Sequence, residues 1–321
     1  MPRPDLPAPL VFARDQAAAS RPCAATVGNF DGVHLGHAAI AARLMAAAER
    51  HGVPAVAVTF DPHPASVLRP DAAPVPLTTP RRRAELLLSL GLDAVHVQPA
   101  TAALLGREAE AFYDEILVER LRVRALVEGA DFRFGAGRRG DVALLADLCR
   151  RDGVALEVVP AVVVGGGPVS SSRLRTLIAA GAVAEANSLA IAPYRLTGTV
   201  VVGARRGATL GFPTANLSGI DTLLPGGGVY AGRVPLDGAW HAAAVHVGPN
   251  VSFGETAISV EVHLVGFGGD LYGRSLDVDL LERVRDTRRF ASVDELTSQL
   301  AADVAAASRI VADAPAPHGK A

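Results

Sequence analysis

Thr26-Val-Gly-Asn-Phe-Asp-Gly-Val-His-Leu-Gly-His37 is the stretch from which the rest of the chain is read. It follows an apolar run, Cys23 to Val27, that reads as a strand, and leads into Ala38–Arg50, which reads as a helix ending at Gly52. A strand, a Gly-rich turn and a helix make a site for an anion. The turn lets backbone approach a ligand, and the helix start offers free N–H groups. His34 and His37 are three apart with Gly36 between them, so both imidazoles can sit at that helix mouth. Two histidines there suit nucleotide phosphates, whose charge shifts when a P–O bond is exchanged. Taken alone, an H-x-x-H pair equally describes a solvated loop, and a metal site also keeps some weight.

Composition bounds the alternatives. The 321 residues are half apolar, which fits two domains of ~100–200 residues each. A formal net charge of −2 gives no general polyanion-binding surface, so phosphate binding has to be local. Few aromatics argue against stacking platforms for nucleic acid. Cys23 and Cys149 lie in apolar contexts and read as buried thiols of a reducing compartment. No apolar stretch is long enough to span a membrane, and residues 1–20 carry Asp5, Arg14 and Asp15 among prolines, unlike a signal peptide. The expectation is a cytoplasmic protein, a monomer or weak homo-oligomer, with no nucleic acid or membrane partner.

Up to about Ala190 the grammar alternates. Strand-like runs at 23–28, 55–60, 94–97, 125–128 and 156–164 are separated by helical stretches at 38–50, 80–90, 108–121 and 141–151. Continuous apolar strands alternating with helices predict an α/β unit with a parallel sheet covered on both faces, binding ligands at the carboxyl ends of its strands. His34, His63 and Asp131 each follow a predicted strand and so fall on one rim. Thr59-Phe-Asp-Pro-His-Pro64 is a rigid turn, and Gly129–Asp141 a Gly-rich loop bearing Phe132 and Phe134. Val169-Ser-Ser-Ser-Arg-Leu-Arg175 puts three hydroxyls and two guanidiniums at one helix start. That is good capping chemistry and also a phosphate clamp.

From Tyr194 the strands come close together, at 195–202, 228–236, 240–247, 257–267 and 275–284, with an Asp237-Gly238 hairpin turn. A single long helix over 293–312 follows. This predicts an all-β unit, a small antiparallel barrel with one terminal helix. The expected domains are 20–190 and 193–312, with 313–321 a disordered tail. Gly203–Asn216 forms a Gly-rich loop able to wrap phosphates, in which Thr214 and Asn216 offer neutral oxygens for a Mg²⁺ that keeps several waters. Glu261 is an acid in an otherwise apolar strand.

Six motifs in order carry a resemblance over residues 20–312. G-N-F-D-G-V-H-L-G-H resembles the H-x-G-H signature of the nucleotidyltransferases, and in particular the bifunctional prokaryotic riboflavin kinase/FMN adenylyltransferases, or FAD synthetases. Thr59–Pro64, Gly129–Asp141, Ser170–Arg175, Leu210–Leu217 and the Glu261 strand resemble further elements of that family. The resemblance implies a Rossmann-like adenylyltransferase domain followed by a riboflavin kinase β-barrel. It implies riboflavin, FMN and FAD as substrates or products, and ATP with Mg²⁺. It puts catalysis of adenylyl transfer on His34, His37 and Arg175. ATP contacts fall on Gly28, Asn29, Phe30, Gly36, Ser171 and Ser172, and flavin contacts on Asp61, His63, Asp131, Phe132 and Phe134. In the barrel it makes Glu261 the base for the ribityl 5′-hydroxyl, gives ATP Gly203, Arg206 and Gly207, gives the metal Thr214 and Asn216, and gives flavin Arg285.

Three segments depart from the family pattern, all around the kinase half: Ala190–Tyr194, the loop with Ala204 and Ala208, and His246–Phe253. They motivate an alternative, a paralogue whose attenuated kinase half leaves it mainly an FMN adenylyltransferase or a modifier of altered flavins.

Overall fold

The computed structural model describes residues 6–16, 20–203, 206–249 and 256–316. By its contacts the chain divides into two compact units, Met1–Ser171 and Ser172–Ala321.

In the first unit, β1 (Leu10–Ala13), β2 (Ala24–Val27), α1 (Leu35–His51), β3 (Ala55–Asp61), α2 (Pro64–Leu68), α3 (Pro80–Ser89) and β4 (Ala94–Pro99) come first. The short α4 (Ala102–Leu105), α5 (Ala109–Phe112), β5 (Ala125–Gly129), α6 (Val142–Asp152), β6 (Ala155–Val159) and the hairpin of β7 (Val163–Val164) and β8 (Gly167–Pro168) follow. The main sheet runs β1-β4-β3-β2-β5-β6. All its pairs are parallel except β1 with β4. The chain winds outward from β2 through β3 and β4, then returns to place β5 and β6 on the other side, so the switch of direction lies between β2 and β5. In such sheets the crevice for a ligand opens there, beyond the carboxyl ends of the strands.

The parallel sheet and its helices are as expected, with three differences. β1 is an additional antiparallel edge strand, registered Leu10 to Val97. The expected helix over 108–121 is α5 running into a π-helical stretch, Tyr113–Arg120, which buries Tyr113, Ile116 and Leu117. β6 stops at Val159, before Pro160, and the rest of the predicted strand turns into the β7–β8 hairpin through Gly165 and Gly166, both at positive φ. Tyr113, Leu117, Leu145 and Leu148 share one buried cluster with Ala25, Val27, Val56, Val58 and Leu126. α1 packs against β2, β3, β5 and β6.

α7 (Ser171–Ala179) and α8 (Val183–Leu189) precede the barrel. The second unit continues with β9 (Tyr194–Val201), the single turn α9 (Arg206–Thr209), β10 (Ala215–Ser218), β11 (Gly228–Leu236), β12 (Ala239–Gly248), β13 (Ser259–Leu264), β14 (Ser275–Arg285) and α10 (Val293–Asp313). Six strands close in the order β10-β13-β12-β11-β14-β9, every pair antiparallel. One of the six, β10, is additional to the five strand-like runs. Asp237 and Gly238, at φ 51° and 82°, make the expected hairpin turn between Leu236 and Ala239. Alternation sorts the faces of β13: Val260, Val262 and Leu264 are buried, while Glu261 and His263 stay half-exposed. α8 docks on the barrel through Asn187. Its Nδ2 donates to Leu280 O at 2.8 Å and its Oδ1 accepts from Tyr194 N at 2.8 Å. Of the expected tail, Asp313 closes α10 and Pro315 O accepts from Arg233 Nη1 at 2.8 Å; residues 317–321 lie outside the described residues.

Candidate active sites

The helix mouth after β2 is built by the two histidines themselves. His34 is the N-cap of α1, which therefore begins three residues earlier than the sequence pattern implied. His34 Nδ1 accepts from His37 N at 3.4 Å, and His37 Nδ1 accepts from His34 N at 3.2 Å. This is a reciprocal capping box made by imidazoles in place of a hydroxyl and a carboxylate. With each Nδ1 accepting, the hydrogen bonds assign the proton of both neutral rings to Nε2. The rings stack at 3.6 Å between centroids and 18° between planes, and the Phe30 ring meets His37 edge-on at 5.1 Å. The stack sits tightly over Gly36, where a Cβ would lie 3.1 Å from the His34 ring. Burial pushes His34 down to about 4, against the opposite pull of Asp131 and Asp31. Burial takes His37 well below the usual imidazole range, and His34 and Arg83 add to that shift. The mouth thus offers two N–H donors on uncharged rings.

A buried polar network holds the turn that carries these rings. Asp31 is 1 % exposed. Its carboxylate accepts from Leu77 N at 2.9 Å, Thr78 N at 2.9 Å and Thr78 Oγ1 at 2.9 Å. Arg83 Nη2 lies 3.7 Å from Asp31 Oδ1. Arg83 Nη1 also donates to Thr59 Oγ1 and Phe60 O, each at 3.1 Å, and Thr59 Oγ1 donates to Asn29 O at 3.0 Å. Thr79 caps α3, accepting from Arg82 N at 3.1 Å. Sequence reasoning missed Thr78, Asp31 and Arg83 as members of this network. The available signal was a third hydroxyl-rich turn, Thr78-Thr79, followed by three arginines.

The rim residues fall where the strand assignments put them. His63 follows β3 and caps α2, its Nδ1 accepting from Ala65 N at 3.1 Å, and its Nε2 lies 3.1 Å from the Asn29 side-chain amide. Asp61, at the end of β3, is exposed. Asp131 follows β5, is exposed, and acts electrostatically on His34. Phe132 and Phe134 stack at 5.4 Å and 12°. The expectation that both rings line a ligand needs narrowing: Phe134 is 5 % exposed, packed also against Phe112, so Phe132 is the ring that presents surface. Gly28 lies under the Phe30 ring, with room for no Cβ closer than 3.0 Å. Within the first unit, Ser171 Oγ donates to Asp31 O at 2.7 Å. In the second unit, Ser172 is exposed, Arg175 is half-buried one turn into α7, and Arg173 pairs with Glu185 at 3.6 Å.

A second constellation lies on the outer face of the barrel. Asn216 on β10 stands opposite Glu261 on β13, and Glu261 stands opposite His246 on β12. Thr214 Oγ1 donates to Glu261 Oε2 at 3.3 Å, and Ser259 Oγ to Glu261 Oε1 at 3.4 Å. Gly203 passes so close to Asn216 that a Cβ would fall 2.2 Å from its Nδ2. α9 turns back so that Phe212 N donates to Gly207 O at 2.8 Å, and a Cβ on Gly207 would meet Phe212 O at 2.3 Å. Arg206 opens that turn, and Ala208 lies inside it. Ala204 and residues 250–255 lie outside the described residues. Arg285 is engaged by α10, donating to Asp303 at 2.7 Å and lying 5.6 Å over Phe290. Burial holds His246 below the usual imidazole range, with Glu261 opposing and Arg285 reinforcing the shift, and among the described residues its buried Nδ1 has no hydrogen-bond partner. The two neutral oxygens of Thr214 and Asn216 suit a Mg²⁺ that takes the rest of its shell from phosphates and water. No group of three or more His, Cys, Asp or Glu among the described residues forms an all-protein metal cage.

A family model described as FAD synthetase matches residues 16–173, and one described as riboflavin kinase matches residues 190–311. The bifunctional riboflavin kinase/FMN adenylyltransferase of Pseudomonas fluorescens is 39 % identical over 300 residues, 93 % of this chain and 95 % of the relative. Its Escherichia coli K12 counterpart is 36 % identical over 88 % of this chain and 90 % of the relative, and that of Bacillus subtilis 32 % over 86 % and 89 %. A crystal structure from Streptococcus pneumoniae superposes with a TM-score of 0.80 at 29 % identity, covering 92 % of this chain and 95 % of its own. Its title names a macrolide-efflux protein. Among the described residues of this chain, no helix is long and apolar enough to cross a membrane. With both halves matched in order, along nearly the whole of each relative, the chain belongs to the bifunctional riboflavin kinase/FMN adenylyltransferase family.

Proposed function

We propose that the protein phosphorylates riboflavin to FMN at the barrel and adenylylates FMN to FAD at the first unit's helix mouth, each step using its own ATP. The observation that carries this is the presence of two differently built sites. One has paired imidazole donors at the mouth of α1, and the other has Glu261 held between Thr214 and Ser259.

At the barrel, Glu261 takes the proton from the ribityl 5′-hydroxyl. The freed oxygen attacks the γ-phosphorus, and ADP leaves. Thr214 and Asn216 would hold the phosphates and Mg²⁺, which would supply charge to neutralise the phosphate oxygens. Gly203, Arg206 and Gly207 supply the loop against the nucleotide. Placement and charge stabilisation do the work, because phosphoryl transfer asks for little covalent help.

At the helix mouth an FMN phosphate oxygen attacks the α-phosphorus of ATP, and the bond to the β-phosphate oxygen breaks to release pyrophosphate. The Nε2–H groups of His34 and His37 donate to phosphate oxygens as negative charge builds there, reinforced by the start of α1. Neutral donors avoid burying two positive charges in a stack before the anion arrives. Gly28, Asn29, Phe30 and Gly36 let the nucleotide approach, and Asp61, His63, Asp131 and Phe132 face the flavin, with Phe134 behind. On the family resemblance, Ser171, Ser172 and Arg175 take the ATP phosphates.

The test is product analysis with purified protein, ATP and MgCl₂. Riboflavin should give FMN and then FAD, and FMN alone should give FAD with pyrophosphate. Protein that converts FMN but leaves riboflavin untouched would instead support the adenylyltransferase-only alternative, which the match across both halves does not favour.

A further inference from the structure

Glu128 is a buried acid that the chemistry above does not use. It lies near the end of β5, is 2 % exposed, and pairs with no arginine among the described residues. Its Oε1 accepts from Val27 N at 2.8 Å, and its Oε2 lies 3.5 Å from Thr26 Oγ1. These contacts cross the point where the sheet comes apart. β2 and β5 pair only at Ala24 with Ala125 and Ala25 with Leu126. Beyond that, β2 keeps β3 through Thr26–Ala57 and Val27–Val58, while β5 keeps β6 through Glu128–Val158 and Gly129–Val159. The two strands therefore hold their outer neighbours and leave each other for their last residues. The gap lies at the change of winding direction, where the Gly28–His34 turn leaves β2 and the Asp131 loop leaves β5. A parted strand would expose a buried N–H at Val27 with no acceptor, which is costly. The Glu128 carboxyl fills that place.

We infer that Glu128 is a positioning residue for adenylyl transfer: its side chain stands in for the missing β2–β5 rungs, keeps the crevice open, and fixes where the Gly28–His34 turn starts. The inference rests on the first unit being the FMN adenylyltransferase. Burial raises Glu128 well above the usual carboxylate range, opposed by the hydrogen bonds from Val27 N and Thr26 Oγ1. A carboxyl group and an amide have the same shape and share one acceptor oxygen. Glu128→Gln can still accept from Val27 N, whereas Glu128→Leu cannot and invites the strands to close.

The experiment measures FMN adenylylation and riboflavin phosphorylation separately in wild type, Glu128→Gln and Glu128→Leu. For Glu128→Leu, kcat/KM with FMN should fall about tenfold or more, the scale of one lost buried hydrogen bond. Its riboflavin kinase kcat/KM should be unchanged, and Glu128→Gln should stay within about threefold of wild type in both reactions. Glu128→Leu matching wild type, Glu128→Gln failing as badly as Glu128→Leu, or the kinase falling in step would each overturn the inference. If Glu128→Leu does not fold, hydrogen exchange on the wild type decides. The Val27 amide should be protected like its ladder-bonded neighbours, and exchange at loop rates refutes the bond. Wild type that makes no FAD from FMN and ATP would instead remove the underlying function.

Discussion

Removing the Asp31 carboxylate is the perturbation with the largest consequence that can be worked from distances. Asp31 and Arg83 have side chains only 2 % and 4 % exposed, so truncating one removes a buried counter-charge from the other. Breaking a buried pair in this way costs about 3–5 kcal/mol. The N–H groups of Leu77 and Thr78 also lose their acceptor. Each such orphan costs about 1–3 kcal/mol, but water entering the vacated space relieves part of it, so the contributions do not add. Asp31→Ala should therefore destabilise the first unit by about 3–5 kcal/mol, a melting shift on the order of 10 °C for a unit of this size. Asp31→Asn should recover only part, because its amide puts a donor where donors already point. The protein has one tryptophan, Trp240, on β12, so its fluorescence follows the barrel, while far-UV circular dichroism also follows the helices of the first unit. In urea the dichroism should show an early transition in Asp31→Ala while the tryptophan transition stays in place. FAD formation should be lost and FMN formation kept. A loss below about 1 kcal/mol, or equal movement of both transitions, would refute the reasoning.

Three further outcomes are expected. Gly36→Ala should displace the His34 ring, since the new Cβ would sit 3.1 Å from it, and lower FMN adenylylation about 10- to 100-fold without touching the kinase rate. His34, held at about 4 against an ordinary value of 6.5, binds its proton in the unfolded chain before the folded one as pH falls. Its contribution is present above pH 6.5 and is lost between 6.5 and 4, a change of roughly 3 kcal/mol that His34→Gln should abolish in pH-dependent denaturation. Glu128 has the opposite sign: its folded value is raised, so it favours folding at acid pH and penalises it increasingly as pH climbs above 4.5. Glu128→Gln should accordingly gain stability over wild type on going from pH 5 to pH 8, measured by the same denaturation series.

What the sequence made legible was what local pattern controls. Apolar runs and helical periods placed the parallel sheet, the hairpin at Asp237-Gly238 followed from turn chemistry, and α10 from its uninterrupted period with a Ser292 cap. β1 and β10 escaped, whereas β2, also four residues long, is set off by the Gly-rich turn and helix that follow it. β10 is defined less by its own pattern than by partners on both sides, Val201 and Glu261 about Asn216. The same limit applied to the sites. His34 and His37 were visible because they are three residues apart, but their reciprocal capping and shared tautomer depend on ring positions. Asp31 meets Thr78 and Arg83 across some fifty residues of sequence, a contact that no spacing rule exposes. Glu128 did leave a trace, an acid near the end of an otherwise apolar strand, yet its meaning depends on where β2 and β5 part.

The most direct measurement is a product assay by chromatography on His34→Ala and Glu261→Ala, each given riboflavin or FMN with ATP and MgCl₂. His34→Ala should convert riboflavin to FMN and stop there. Glu261→Ala should make FAD from FMN but nothing from riboflavin. If either substitution abolishes both reactions in folded protein, the two sites are not separate, and the proposed division of labour is contradicted.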